Sequence, residues 1–195
     1  MEKDSPSQHI EALIIGGSAG SLEVILQILP KLRKGLSFAI IIVLHRKSSL
    51  DSTLAGLLSS RTVLPVKEAE EKEPILPGNI YIAPADYHLL IENDCSFSLD
   101  FSEKILYSRP AIDATFQTAA DVYRQHLAGI LLSGANADGA SGLLSIQKAG
   151  GITLVQDPTD AEINYMPNQA LARLKPDYIL GKSKLAEFIN NLSAN

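Results

Sequence analysis

The chain has 195 residues, 46% hydrophobic and 20% charged, with a net charge of −5 at pH 7. A chain of this length buries roughly 70% of the surface its unfolded form exposes, enough for a substantial core. The acidic balance, with no long Lys/Arg cluster, argues against a nucleic-acid partner and against anionic lipid head groups. A lone cysteine, Cys95, excludes an intramolecular disulfide and fits a reducing compartment. The opening stretch MEKDSPSQHIEA holds no apolar signal region. The longest apolar run, Phe38 to Leu44, is far too short to span a bilayer. The expectation is a cytoplasmic protein with no nucleic-acid partner and no membrane insertion.

Short β-rich runs alternate with helix-period segments, the rhythm of βαβ units and a parallel sheet. A strand is expected over 12–15. A helix follows over 21–32, where Leu22, Ile25, Leu26 and Leu29 recur at helical spacing. Residues 37–44 form a nearly continuous apolar run, the pattern of a strand covered on both faces. A helix over 50–59 and a strand over 62–67 come next. From 75 to 107 the texture changes, with Pro-Gly, Pro-Ala-Asp and Asn-Asp turn signals separating short runs. That texture predicts antiparallel hairpins near 79–107. The alternation then resumes, with helices over 113–126, 139–149, 168–173 and 183–192 and strands over 127–134, 152–156 and 177–180. No repeat or linker divides the chain, so residues 1–195 read as a single α/β domain.

The loop Gly16-Gly17-Ser18-Ala19-Gly20 sits between the first strand and the first helix. A dinucleotide loop would need glycine at position 18 and an acid ending the second strand, which ends instead in Leu44-His45. A P-loop fails too, because no Gly-Lys-Ser/Thr follows. What fits is G-x-S-x-G, a serine on a sharp strand-to-helix turn with small neighbours. The bland alternative is a Gly/Ser turn serving only tight packing or a helix cap.

A serine hydroxyl needs a base, and the base needs an orienting group. Of the four histidines, His9 lies near a polar terminus and His126 ends a helix. His88 follows a turn and reads as structural or as lining a cleft. His45 directly follows the apolar strand 37–44, and sequential βαβ strands are commonly neighbours. Both Ser18 and His45 then fall at the carboxyl edge of the sheet, where open α/β proteins bind ligands. The loop LLSGANADGASG contributes one carboxylate, Asp138, with Asp157 and Asp160 of the next loop as competitors.

Taken in order, these segments resemble the catalytic domain of the bacterial chemotaxis protein-glutamate methylesterases, the CheB type. IGGSAG is similar to the family's nucleophile loop and LHRKSS to its histidine loop. GNIYIAPADYHLLI, RPAIDATFQTAA, LLSGANADGASGLLSIQKAGGITLVQD and YMPNQAL resemble further family segments, roughly from Leu13 to Leu180. The resemblance implies a three-layer α/β/α sandwich around a mainly parallel sheet. It implies a serine esterase that hydrolyses γ-methyl esters of glutamates on a methylated helical receptor or signalling protein, with glutamine deamidation as a second activity. Ser18 would be the nucleophile, His45 the general base and acid, and Asp138 the orienting carboxylate. No metal or organic cofactor is implied. Oxyanion and cleft positions would include Ala19, Ala135, Arg46, His88, Tyr165 and Met166.

Ser21, Leu44, Arg46, Ala135 and Tyr165 depart from the usual family residues, which puts substrate choice in question rather than chemistry. Arg46 beside the base would lower the pKa of His45 or touch an acidic substrate surface. The first strand begins soon after Met1, which leads to the expectation of a stand-alone catalytic domain, with a separate regulator in place of a fused receiver domain. The competing reading is a non-catalytic signalling module of the same fold that binds a receptor or a methyltransferase.

Overall fold

A computed structural model describes residues 8–46 and 53–193. Seven strands form one parallel sheet: β1 (Ala12–Gly17), β2 (Ala39–Leu44), β3 (Val66–Glu68), β4 (Ile80–Ile82), β7 (Leu127–Leu131), β8 (Ile152–Gln156) and β9 (Tyr178–Leu180). Their order is β3-β4-β2-β1-β7-β8-β9. The remaining pair, β5 (His88–Ile91) and β6 (Phe97–Asp100), is an antiparallel hairpin. Every residue of β1, β2, β7 and β8 is buried. Such runs of Ile, Leu, Val and Ala are stable only with both faces covered.

The helices supply that cover. On one face α1 (Ser21–Ile28), α2 (Thr53–Ser59) and α6 (Lys182–Leu192) pack on the sheet through Ile25, Ile28, Leu58, Leu185 and Ile189. On the other lie α3 (Ile112–Tyr123), α4 (Ala140–Lys148), α5 (Tyr165–Leu171) and the hairpin, through Phe116, Leu143, Ile146, Met166 and Phe97. This is the expected α/β/α arrangement. Among the described residues no helix is long and apolar enough to cross a membrane.

Several boundaries differ from expectation for identifiable reasons. The first helix gives way after Ile28 to a 3₁₀ turn at Leu29–Lys31, because Pro30 supplies no N–H and disfavours a continued α-helix. The strand expected over 62–67 pairs only at Val66–Glu68, just past Pro65. Ile80–Ile82, read with the hairpins, lies instead in the parallel sheet beside β2. Its three buried residues look the same in either setting, and short runs cannot tell them apart. Antiparallel pairing is thus confined to 88–91 and 97–100. The helix near 168–173 starts earlier, at Tyr165, with Pro167 in the first turn where a missing N–H costs nothing. The stretch 50–52 of the expected 50–59 helix lies outside the described residues.

The chain runs outward from β1 to β2 and then returns, through α3, to β7 on the other side of β1. The reversal places the carboxyl ends of β1, β2 and β7 side by side. Gly16, near the end of β1, sets the spacing there. A Cβ built on it would lie 2.4 Å from Cγ2 of Ile112, the first residue of α3. Gly16→Val should therefore lower the denaturation free energy by about 1–3 kcal/mol through overpacking. Urea titration checks this; an unchanged midpoint would contradict the close approach of α3 to β1.

Candidate active site

Ser18 and His45 leave adjacent parallel strands at the same level, one residue beyond the Gly17–Leu44 pair. The His45 N–H donates to the Gly17 carbonyl at 3.2 Å, which continues the ladder into the loop. His45 Nε2 meets Asp138 Oδ2 at 2.6 Å. Asp138 is fully buried, while the His45 side chain is 12% exposed. The Ser18 hydroxyl makes no hydrogen bond to a described residue. The structure thus joins His45 to Asp138 and sets Ser18 at the neighbouring strand end. Hydrogen bonds of this kind are often long or open in free enzymes and tighten only with substrate bound.

The buried carboxylate is held by α3. Asp138 Oδ2 also accepts the Ile112 N–H at 2.6 Å, and Oδ1 accepts the Asp113 N–H at 2.9 Å. These are unpartnered donors of a helix N-terminus, where negative charge is favoured. Its own N–H donates to Asn136 Oδ1 at 3.1 Å, fixing the loop that carries it. The competing carboxylates are occupied elsewhere. Asp157 caps the N–H and hydroxyl of Thr159, and Asp160 accepts the Lys182 N–H at the start of α6.

The serine loop has a different organiser, Ser133, which sequence reasoning missed. The Ser18 N–H donates to the Ser133 carbonyl at 2.9 Å, and the Ser133 hydroxyl donates to the Ala19 carbonyl at 2.8 Å. The same hydroxyl accepts the Ile163 N–H at 2.9 Å, and the Ser133 N–H donates to Gln156 Oε1 at 3.0 Å. Ser133 and Gln156 are both fully buried. A polar residue ending each of two apolar strands was the available signal. The left-handed backbone of the turn falls on Gly20, at φ 82°. A Cβ on Gly20 would lie 2.9 Å from Ser133 Oγ, so glycine is required twice over.

The remaining expected site residues divide. Ala19 and Ala135 are exposed beside Ser18, and the N–H of each lacks an acceptor among the described residues. Tyr165 is 49% exposed. Two expectations need correction. His88 is 1% exposed, its ring buried rather than open to a cleft. Its Nδ1 accepts the Ala111 N–H at 3.2 Å and its Nε2 donates to the Glu103 carbonyl at 2.9 Å, so the ring pins the entry to α3. Met166 is fully buried; its side chain fills the space that a Cβ on Gly134 would need, and its N–H donates to the Gly134 carbonyl. It supports the site from beneath. Arg46 lines a cavity together with His45, its guanidinium paired with Glu68 and donating to the Ala83 carbonyl at 3.3 Å.

Asp113 sits behind Asp138 and accepts the Gly142 N–H at 2.7 Å. Burial raises its carboxyl pKa above the ordinary 3.8; the Gly142 bond opposes the shift and the Asp138 charge adds to it. A raised folded-state value means stability that is fully present below the unfolded pKa and lost as pH rises through the folded one. Asp113→Asn keeps an acceptor for Gly142 and should flatten the decline in melting temperature as pH rises from about 4 to 7; an unaltered slope would contradict the shift. Ser133→Ala should cost about 1–3 kcal/mol in chemical denaturation, because it leaves the Ala19 carbonyl and the Ile163 N–H short of a partner. A loss under about 0.5 kcal/mol would mean the clamp is idle.

Comparison with known proteins matches residues 13–189 to the CheB methylesterase family. A relative from Leptospira interrogans is 44% identical over 187 residues, covering 96% of this chain and 97% of its own length. The protein-glutamate methylesterase/protein-glutamine glutaminase of Thermotoga maritima is 33% identical over 93% of this chain and 54% of its own length. The crystal structure of the Thermotoga maritima CheB methylesterase catalytic domain superposes with a TM-score of 0.89 at 33% identity, covering 94% of this chain and 98% of that one. Fold, motif order and family match agree, and the chain belongs to the CheB methylesterase family.

Proposed function

We propose that this chain, working as one catalytic domain over residues 1–195, is a protein-glutamate methylesterase of the cytoplasm. Its substrate is a γ-methyl glutamyl ester on a helical receptor or related signalling protein. The observation that carries this reading is the 2.6 Å contact of His45 Nε2 with buried Asp138, at the strand end next to Ser18. Family membership and the names of relatives support the same chemistry.

Asp138 accepts the Nε2 proton of His45, which leaves Nδ1 as the basic nitrogen for the serine. Ser18 Oγ attacks the γ-carbonyl carbon while its proton passes to Nδ1. The carbonyl oxygen becomes an oxyanion that needs fixed N–H donors, each worth about 3–4 kcal/mol in such reactions. The Ser18 N–H is already spent on the Ser133 carbonyl, whereas those of Ala19 and Ala135 have no acceptor among the described residues. These two are the donors we assign. Collapse of the intermediate breaks the C–O bond to the methoxy group, His45 returns its proton to that oxygen, and methanol leaves. Water then adds to the glutamyl-enzyme by the same route, giving the glutamate carboxylate and restoring Ser18. With a glutamine substrate the leaving group is ammonia, which accounts for the double name borne by relatives.

Methanol release from a methylated receptor fragment tests the reading. Ser18→Ala should retain its fold and lose activity by about 10³-fold or more. Equal release by wild type and variant would overturn the assignment, and no release by either would favour a binding module.

A further inference from the structure

Beside His45 opens a cavity of about 350 Å³, lined by Arg46, Asp86, Lys104, Tyr107 and Arg109 among others. Its charges are unbalanced. Arg46 is neutralised by Glu68. Lys104 forms no ion pair with a described residue. Arg109 donates only to carbonyls, those of Phe101 at 3.1 Å and Ser102 at 2.8 Å, and lies 3.9 Å above the Phe101 ring. Its Nε, like that of Arg46, is buried without a partner among the described residues. Asp100 feels the Arg109 charge at longer range but is itself tied to Ser102. Asp86 is the one carboxylate among the named lining residues, so two unneutralised cations face a single anion in a chain whose net charge is −5.

A methyl ester is neutral and gives these cations nothing to bind. The rim of the cavity is a tight turn that presents an aromatic side chain to solvent. Ile105 and Ser108 close a tight turn by reciprocal backbone bonds of 3.1 and 2.9 Å. Both residues between them hold left-handed backbone, Leu106 at φ 46° and Tyr107 at φ 65°, an uncommon conformation for bulky side chains. The result is a Tyr107 side chain 96% exposed at the mouth. Asn136 latches this turn to the aspartate loop, through its amide to the Leu106 carbonyl at 3.4 Å and the Ser108 hydroxyl at 3.3 Å. The rim is therefore tied to the loop that carries Asp138.

Resting on the methylesterase reading, we propose that this cavity is an anionic subsite, with Lys104 and Arg109 receiving a free carboxylate of the substrate protein. On a helical substrate the group that reaches it is an acidic side chain about one turn from the esterified glutamate, since residues three or four apart share a face. Tyr107 covers the segment between the two.

The test uses helical peptides with one γ-methyl glutamyl ester and, about four residues to either side, glutamate or glutamine. KM is read from methanol release, and Kd from binding to the Ser18→Ala protein. Wild type should favour the glutamate peptides by about three- to tenfold in both quantities, with kcat little altered, and added salt should erase the preference. Lys104→Gln should weaken glutamate peptides by a similar factor and glutamine peptides by less than about twofold. Lys104 is exposed, so folding is not at stake. Equal effects of Lys104→Gln on both peptide types, or no wild-type preference, would overturn the subsite. Charge-selective binding without hydrolysis would instead sink the esterase reading and leave the subsite standing.

Discussion

The carboxylate of Asp138, with no exposure to water, is the constraint around which the site is organised. An ionised group buried without partners is costly, and here three donors converge on it: the Ile112 and Asp113 N–H groups and His45 Nε2. Hydrogen bonds to a charged group are worth about 1.5–3 kcal/mol each, roughly twice a neutral one. The helix terminus adds a favourable field from donors that have no partner within α3. The imidazole therefore meets an acceptor that cannot turn away. Its tautomer and ring plane are set before any substrate arrives.

That constraint reaches back into the fold. α3 can present its first N–H groups only because Gly16 lets Ile112 approach the end of β1. His88 holds the residue before the helix through Ala111, and Asn136 ties the aspartate loop to the turn above it. Ser133 performs the corresponding task for the serine loop, taking the Ser18 N–H and the Ala19 carbonyl at once. The side chains that touch the reacting atoms are few. The groups that fix them are distributed over β7, β8, α3 and the segment before α5, so the site is as rigid as the layer beneath it.

Much of this was legible in the sequence, and the failures have physical causes. Continuous apolar runs identify β1, β2 and β8, because a strand buried on both faces has no alternation to confuse with anything else. Their carboxyl ends put Ser18 and His45 at neighbouring strand ends by topology alone, and the aspartate loop contains a single carboxylate. Ile80–Ile82 escaped the same logic because three residues carry no period. His88 was ambiguous for a different reason. A histidine near a turn looks the same whether it lines a cleft or pins a helix, and only its two occupied nitrogens separate the cases. The pairing of Arg46 with Glu68 joins residues that no local pattern relates. The cavity beside His45 draws Arg46 from the loop after β2 and Lys104 and Arg109 from the connection between β6 and α3, so its charge is invisible until the chain is folded.

The central claim is that a buried carboxylate orients the imidazole that activates Ser18. Reaction with a fluorophosphonate ester, followed by mass spectrometry of the labelled residue, measures that activation directly and needs no knowledge of the natural substrate. Label is expected on Ser18, at a rate lowered by about 10³–10⁴-fold in a folded Asp138→Asn protein, where the acceptor becomes an amide and the wrong tautomer is favoured. Labelling of Ser18 at the same rate in both proteins, or of some other residue, would contradict it.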